Sequence, residues 1–463
     1  MYKEISRLDR TLRSYQQDAK ETIFSAWDEC NNVMFQMPTG TGKTRLFTSI
    51  ISDIKAWGIL RSKNAKILII AHRIELIEQI SENLAKYGIA HGIVAGGKDR
   101  DLSLPVQVAS IQTITHHTNE SAARELKVNF IIIDEAHHSI ANSYRKLWNM
   151  FPGAKVLGVT ATPWRMSNHG FTEMYDKLVL SKPIKEFIKE GWLAPYDYYS
   201  IKETSILNAE IKNINQFDIE GDYKTAALET VVDTSRIRAQ LLDSYLKYAK
   251  GKKGIIYSIS RKHSDHICNE FKQAGINIVR IDSLTPRDER RLYVKRFRSG
   301  LIDIIVNVDI FSEGFDCPDI EFIQLARPTK SLVKYIQQVG RGLRPTVNKS
   351  RCLILDNVGL HLAFGLPDAD QDWGKYFKGE MPSTNSSCSG GETTQAINTP
   401  EPSFEEGNDE MCLIVSQEEV AWSTQDDELF KILYLEKHCS IPVLAAVFKR
   451  SEQQVEDRIA KLE

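Results

Sequence analysis

Ten short runs rich in β-branched and apolar residues, each followed by a segment of helix-like character, constrain this chain more than any other feature. In the first half they are VMFQM (33–37), KILIIA (66–71), PVQVAS (105–110), FIIID (130–134) and KVLGVT (155–160). In the second half they are GIIYSI (254–259), NIVRID (277–282), DIIVNV (303–308), FIQLA (322–326) and CLILD (352–356). Continuous apolar runs suit strands covered on both faces, and their alternation with helices is the rhythm of parallel sheets wrapped by helices. The grouping predicts an α/β protein with two sheet domains of similar size, joined across residues 197–235, where the pattern is weakest. A cleft between two such sheets is a natural ligand site.

With 463 residues, 42% hydrophobic and 26% charged, the chain has room for two to four folded units and does not have the composition of a disordered protein. No stretch approaches the run of about 20 apolar residues needed to span a bilayer, and MYKEISRLDR lacks an apolar signal core. Seven scattered cysteines, an odd number without a C-x-x-C pair, predict a reducing, cytoplasmic setting. After Lys378 the composition shifts to Ser, Thr, Gly and Pro, as expected of a flexible linker. From Trp422 helical spacing resumes: Leu429, Ile432 and Leu433, then Leu444, Val447 and Phe448, then Val455, Ile459 and Leu462, which predicts three short helices. The net charge of −2 is an average over two regions of opposite sign. Residues 379–463 carry 17 acidic and 6 basic residues, leaving +9 for residues 1–378, the balance expected of a surface that tracks a polyanion.

Directly after VMFQM comes Pro38-Thr39-Gly40-Thr41-Gly42-Lys43-Thr44, then a helix-compatible segment. A strand that turns through glycines into a helix aims several backbone N–H groups at one spot, which suits phosphate. Thr39 to Thr44 would cradle the phosphates, with Lys43 reaching the β and γ groups and the Thr44 hydroxyl on Mg²⁺. Met37 stands where such loops usually begin with glycine. FIIIDEAHH supplies the carboxylates: Asp134 for Mg²⁺ and Glu135 to polarise the attacking water. ATP and Mg²⁺ are therefore the expected cofactors.

These residues resemble the superfamily 2 helicases and translocases in their DEAH spelling, Asp134-Glu135-Ala136-His137, over residues 8–365. The resemblance implies two tandem RecA-like domains: 8–196 for ATP binding, 236–377 for the second, a connection over 197–235, an acidic linker over 378–420 and a Myb-like or helix-turn-helix module over 421–463. Leu12-Arg13-Ser14-Tyr15-Gln16-Gln17 is similar to the family's Q motif, implying that Gln16 reads the adenine edge with Arg13 beside the nucleotide. Thr160-Ala161-Thr162-Pro163 is similar to motif III; with His137, Thr160 and Thr162 would couple hydrolysis to strand binding. VNVDIFSEGFD (306–316) resembles motif V, placing Gly314 and Asp316 near the nucleotide. QQVGRGLR (337–344) resembles motif VI, making Gln337 catalytic and Arg341 and Arg344 arginine fingers. Guanidinium groups, planar and always charged, suit the charge on a transferring phosphoryl group. TATP and QQVGRGLR lean toward RadD-like, UvsW-like and restriction-subunit-like DNA motors, so DNA is favoured over RNA as partner.

Arg73 and Gln112-Thr113, in segments similar to strand-contacting motifs, and Ser258 in the second sheet are the expected nucleic-acid contacts. The arginine-dense segment 286–298 fits a phosphate contact or a solvated helix face. His263-x-x-His266-x-Cys268 reads as an unliganded surface, because no fourth metal ligand lies nearby. The thinly basic third tail helix leaves DNA binding and protein docking both open. The motif set predicts an ATP-dependent DNA helicase or translocase; an RNA helicase and an ATP-gated clamp share the same motifs, and no membrane role is expected.

Overall fold

The computed structural model describes residues 2–60, 65–96, 101–116, 126–167, 169–308, 317, 319–346, 349–380, 411–417, 430–448, 455–456 and 458–459. All ten expected runs form strands. In the first sheet they are β1 (Asn32–Gln36), β2 (Ile67–Ala71), β4 (Val106–Ser110), β5 (Phe130–Asp134) and β6 (Lys155–Thr160), joined by β3 (Gly92–Val94) and β7 (Lys177–Leu180). Their order is β3-β4-β2-β5-β6-β1-β7, and every pairing is parallel. Strands β2 and β5 are buried along their whole length, which is why they read as unbroken apolar runs.

The second sheet contains β8 (Tyr196–Ser200), β9 (Gly254–Tyr257), β10 (Ile278–Ile281), β11 (Ile304–Asn307), β12 (Phe322–Leu325), β13 (Cys352–Asp356) and β14 (Cys412–Ser416). The order is β10-β11-β9-β12-β13-β8-β14, parallel except for the antiparallel β14. Two expectations change here. Residues 197–200, taken as connection, form most of an interior strand, and 412–416, taken as linker, close the sheet edge against it. The tail strand is fastened by side chains as well: Gln417 Nε2 donates to Asp368 Oδ2 (2.7 Å) and Ser416 Oγ to Asp197 Oδ1 (2.6 Å).

The two sheets are packed into one body. The end of the second domain returns to the first, where Phe171 N donates to Phe377 O at 2.7 Å and the two rings stack. In the tail, Phe430, Leu444, Ala445 and Val455 form a small buried cluster of their own, with helix Ile441–Phe448. Val447, expected in that core, is exposed. Trp422, Leu429 and Leu462 lie outside the described residues. Among the described residues no helix is long and apolar enough to cross a membrane.

Candidate nucleotide site and the cleft between the sheets

Strand β1 ends at Gln36, and the chain turns through residues 37–42 into helix Lys43–Leu60. Gly40 and Gly42 have φ of +88° and +91°, a region that costs side-chain-bearing residues about 1 kcal/mol or more. A side chain would also press on neighbours. A Cβ on Gly42 would stand 2.5 Å from Gln16 Nε2, and one on Gly40 would stand 3.0 Å from Arg344 Cγ, which belongs to the other sheet domain. The loop is thus held from both sides.

The Lys43 ammonium lies 3.2 Å from Met37 O and 3.5 Å from Pro38 O. Burial pushes its pKa down; Glu135 and Asp134 oppose that shift, and Arg341 and Arg344 add to it. Five charged groups from two sheets therefore share one electrostatic neighbourhood. They line a cavity of about 350 Å³ with Arg13, Thr39, Gly40, Gly42, Thr44, Arg45, Leu76, Gln79, Asn83 and Pro345, a volume within the range of small-molecule sites.

Strand β5 delivers Asp134 at its last position, and the next residue breaks the backbone sharply. Glu135 is left-handed, with φ 51° and ψ 52°. A strained non-glycine backbone persists only where its surroundings fix it, and such residues cluster at functional sites. The Glu135 carboxylate lies 3.4 Å from His137 Nδ1. That nitrogen also lies 3.1 Å from Thr160 Oγ1, which accepts from Thr162 N at 3.1 Å. His137, Thr160 and Thr162, the three expected coupling residues, therefore form one hydrogen-bonded group at the end of β6, with the Glu135 carboxylate alongside.

A second cavity, of about 460 Å³, opens beside this group. It shares His137 as a wall and is lined by Arg73, His138, Trp164, Arg165, Lys334 and Gln337, among others. Helix Leu332–Gly342 borders both cavities in turn along its length. Gln337 and Arg341, one helical turn apart, serve different ones: Arg341 and Arg344 face the phosphate loop, and Gln337 faces the cavity of Arg73. Gln337, expected to be catalytic, thus lines the cavity of Arg73 rather than that of the phosphate loop.

Hydrogen bonds within the fold hold several of the other expected residues. Gln16 does not present its amide to the cavity: Nε2 donates to Thr41 O (3.0 Å) and Gly42 O (3.3 Å), and Oε1 accepts from Arg13 N (3.0 Å). It braces the phosphate loop. Thr41 is buried and donates to Pro38 O. Arg13 reaches the cavity over the Trp192 ring, donating to Tyr15 OH. Ser258, expected as a strand contact, is buried with its hydroxyl bonded to Ser264 Oγ and Asn307 O. Arg73 lines the second cavity, Gln112 is exposed with Nε2 donating to His72 O, and Thr113 is half-buried. Gly314 and Asp316 lie outside the described residues.

His263 and Cys268 are buried rather than on the surface; burial lowers the histidine to about 4 and raises the thiol to about 12. His266 pairs with Asp233 at 2.9 Å. Arg287, Arg290 and Arg291 of segment 286–298 meet Glu75 and Glu78 of the first domain. Sequence reasoning missed Leu76, Gln79 and Asn83. Their spacing along helix Ile74–Lys86 puts them on one face, but only the fold reveals that the face borders the nucleotide cavity.

Comparison with known proteins decides the family. Residues 9–165 match the family model "Type III restriction enzyme, res subunit", and residues 237–346 match "Helicase conserved C-terminal domain". A "51.5 kDa protein" of a Lactococcus phage is 36% identical over 346 residues, covering 75% of this chain and 70% of the phage protein. The chain belongs to the superfamily 2 helicases. The Saccharomyces cerevisiae protein IRC3, named for ATP-dependent helicase activity, is 33% identical over 362 residues, covering 75% of this chain and 51% of the yeast protein. This chain thus spans about half the length of that curated relative. A fragment described as an HsdR subunit of a type I restriction enzyme from Vibrio vulnificus shares the fold, with a TM-score of 0.62, 22% identity and coverage of 82% of this chain and 69% of the fragment. As a superfamily 2 helicase, the protein is an ATP-using enzyme whose partner is nucleic acid, and its two sheets are that family's tandem RecA-like domains.

Proposed function

We propose that the protein is a Mg²⁺-dependent ATP hydrolase that moves along DNA. The observation that carries this reading is a pair of cavities lined by successive parts of helix Leu332–Gly342, with Glu135 in the wall of one and His137, 3.4 Å from it, in the wall of the other. Bound Mg²⁺-ATP supplies the γ-phosphoryl centre and the metal's charge. Thr44 and Asp134 would hold the metal, a donor set of one hydroxyl and one carboxylate that suits an ion keeping several waters. The glycine loop fits the phosphate chain, because Gly40, Gly42, Lys43 and Thr44 line the same cavity as Arg341 and Arg344.

Lys43 neutralises phosphate charge, and Glu135 orients and polarises the attacking water. Arg341 and Arg344 meet the developing charge from the second domain, so the groups needed for hydrolysis come together only when the sheets are close. His137 stands 3.4 Å from the Glu135 carboxylate and also lines the cavity of Arg73, through which a bound strand would be sensed. Arg73, Gln112 and Thr113 provide sequence-independent strand contacts. The restriction-subunit family model and the TATP and QQVGRGLR spellings support DNA rather than RNA. The C-terminal module would target the motor to DNA or to a protein.

A third-strand displacement assay tests the proposal. ATP-dependent displacement from duplex DNA is expected. Turnover without displacement favours an ATP-gated clamp, and stimulation by RNA alone would reverse the choice of substrate.

A further inference from the structure

We propose that Lys349 is a positioning residue for the two arginines of the motor, pinning the end of their helix through a buried ammonium. The inference rests on the assignment of Arg341 and Arg344 above. Helix Leu332–Gly342 ends one residue after Arg341 and two before Arg344. The last carbonyls of a helix lack internal partners and carry partial negative charge, so a cation there is favourable. Lys349 supplies it. Its Nζ donates to Gly342 O at 2.7 Å and to Ile320 O at 2.9 Å. The first bond grips the helix end, and the second ties it to the chain entering β12.

The surroundings leave the helix end little slack. A Cβ on Gly342 would stand 2.4 Å from Cys352 Sγ and 2.9 Å from Ile323 Cγ1, so the helix rests directly on β12 and β13. A Cβ on Gly340 would stand 2.8 Å from Thr39 Cβ, so the same turn rests directly on the phosphate loop. Movement of the pinned end therefore displaces both arginines relative to the loop, and a misplacement of about 1 Å at a reacting centre costs up to about a hundredfold in rate.

The lysine side chain is almost wholly buried. Burial lowers its pKa to about 8; Cys352, Asp319 and Glu321 oppose the shift and Arg344 adds to it. Two of the groups beside it are shifted away from that value. Burial raises the Cys352 thiol to about 11, and Asp319 is held below the usual carboxylate range, against the effect of its burial, by hydrogen bonds from Cys317 and Lys253. Glu321 accepts from Lys253 N. A neutral amine keeps two hydrogens for the two carbonyls but forms bonds about half as strong as charge-assisted ones. The arginines should lose definition as pH rises through about 8.

Stability runs the other way. The unfolded chain holds its proton up to the ordinary lysine range, so between about 8 and that range this group makes the fold more stable as pH rises. A fall in kcat over that window is consequently not a loss of fold through this group.

The experiment measures DNA-stimulated ATP hydrolysis from pH 6.5 to 9.5 for the wild type and for Lys349→Met, Lys349→Arg and Arg341→Ala, with melting temperatures alongside. The wild type should show an inflection in kcat near pH 8, with little change in KM for ATP. Lys349→Met should lower kcat about tenfold at pH 7, equivalent to about 1.4 kcal/mol, and abolish the inflection. Lys349→Arg, always charged, should recover part of the rate and be flat with pH. A Lys349→Met protein with wild-type kcat and an unchanged inflection overturns the proposal. If the variants do not fold, a wild-type profile without an inflection in kcat near pH 8 overturns it equally. Arg341→Ala separates the two readings: activity retained there removes the arginine assignment, whereas activity lost there but kept in Lys349→Met removes only the pin.

Discussion

Closure of the cleft is assisted by a clasp on its outer side. Helix Arg287–Arg298 of the second domain sets Arg290 Nη1 2.7 Å from Glu75 Oε1, Arg287 in contact with Glu78, and Arg291 Nη2 3.9 Å from Glu78 Oε2. Both glutamates ride on helix Ile74–Lys86, whose Leu76, Gln79 and Asn83 line the nucleotide cavity. Most of these side chains are open to solvent, with only Arg290 at 18% and Glu78 at 24% exposure clearly sheltered. Exposed pairs contribute about 0.2–1 kcal/mol each, so the three contacts together favour closure by about 1 kcal/mol. Reversing both glutamates to lysine removes that attraction and substitutes a repulsion of similar size, a change of about 2 kcal/mol, or about thirtyfold in a closed-to-open ratio. The affinity of Glu75→Lys/Glu78→Lys for a fluorescent ATP analogue, measured at low salt, should fall by up to that factor. Adding Arg287→Glu and Arg290→Glu should restore most of it, and salt should erode the wild-type advantage. An unchanged affinity in the reversed protein, or no recovery in the swapped one, would refute the clasp.

Three further outcomes follow from the packing. Gly42→Ala forces a Cβ against Gln16 at a φ of +91°, so ATP binding should be lost while the melting temperature stays near wild type, as read by calorimetry and nucleotide titration. Asp53→Ala leaves Lys20, fully buried and 2.8 Å from that carboxylate, without its counter-charge; denaturant unfolding should show a loss of about 3–5 kcal/mol. Deleting residues 379–463 removes a balance of −11 as well as β14. DNA affinity should rise at low salt if the acidic tail competes for the basic face, and an unchanged affinity would dismiss that competition.

The sheet cores were legible in the sequence because parallel strands with helices on both faces must be apolar throughout, as in FIIID and CLILD. The four missed strands lack that signature. β3 has three residues and lies at an edge, as does β7, a KLVL whose last residue is exposed. β8 alternates, burying Tyr196, Tyr198 and Ser200, because Tyr198 and Ser200 hydrogen-bond the buried Asp356. β14 sits in a stretch that reads as linker, and its pairing depends on a strand more than 200 residues away. In the site, residue types with one dominant chemical use fall around one cavity: the glycine loop, Lys43, Asp134, Glu135 and the two arginines. Gln16, Ser258 and Gln337 do not, since an amide or hydroxyl serves whichever partner the fold supplies. For Gln16 that partner is the carbonyl of Thr41, 25 residues away.

The central claim is that one hydrolytic site is assembled from both sheets, and steady-state ATP hydrolysis with and without single-stranded DNA tests it most directly in the wild type, Lys43→Ala, Glu135→Gln and Arg341→Ala. DNA should stimulate the wild type. Each variant should keep its fold and lose about a hundredfold or more in kcat, with Arg341→Ala still binding ATP. An Arg341→Ala protein that hydrolyses ATP at the wild-type rate would contradict the account, because the second sheet would then contribute nothing to the chemistry.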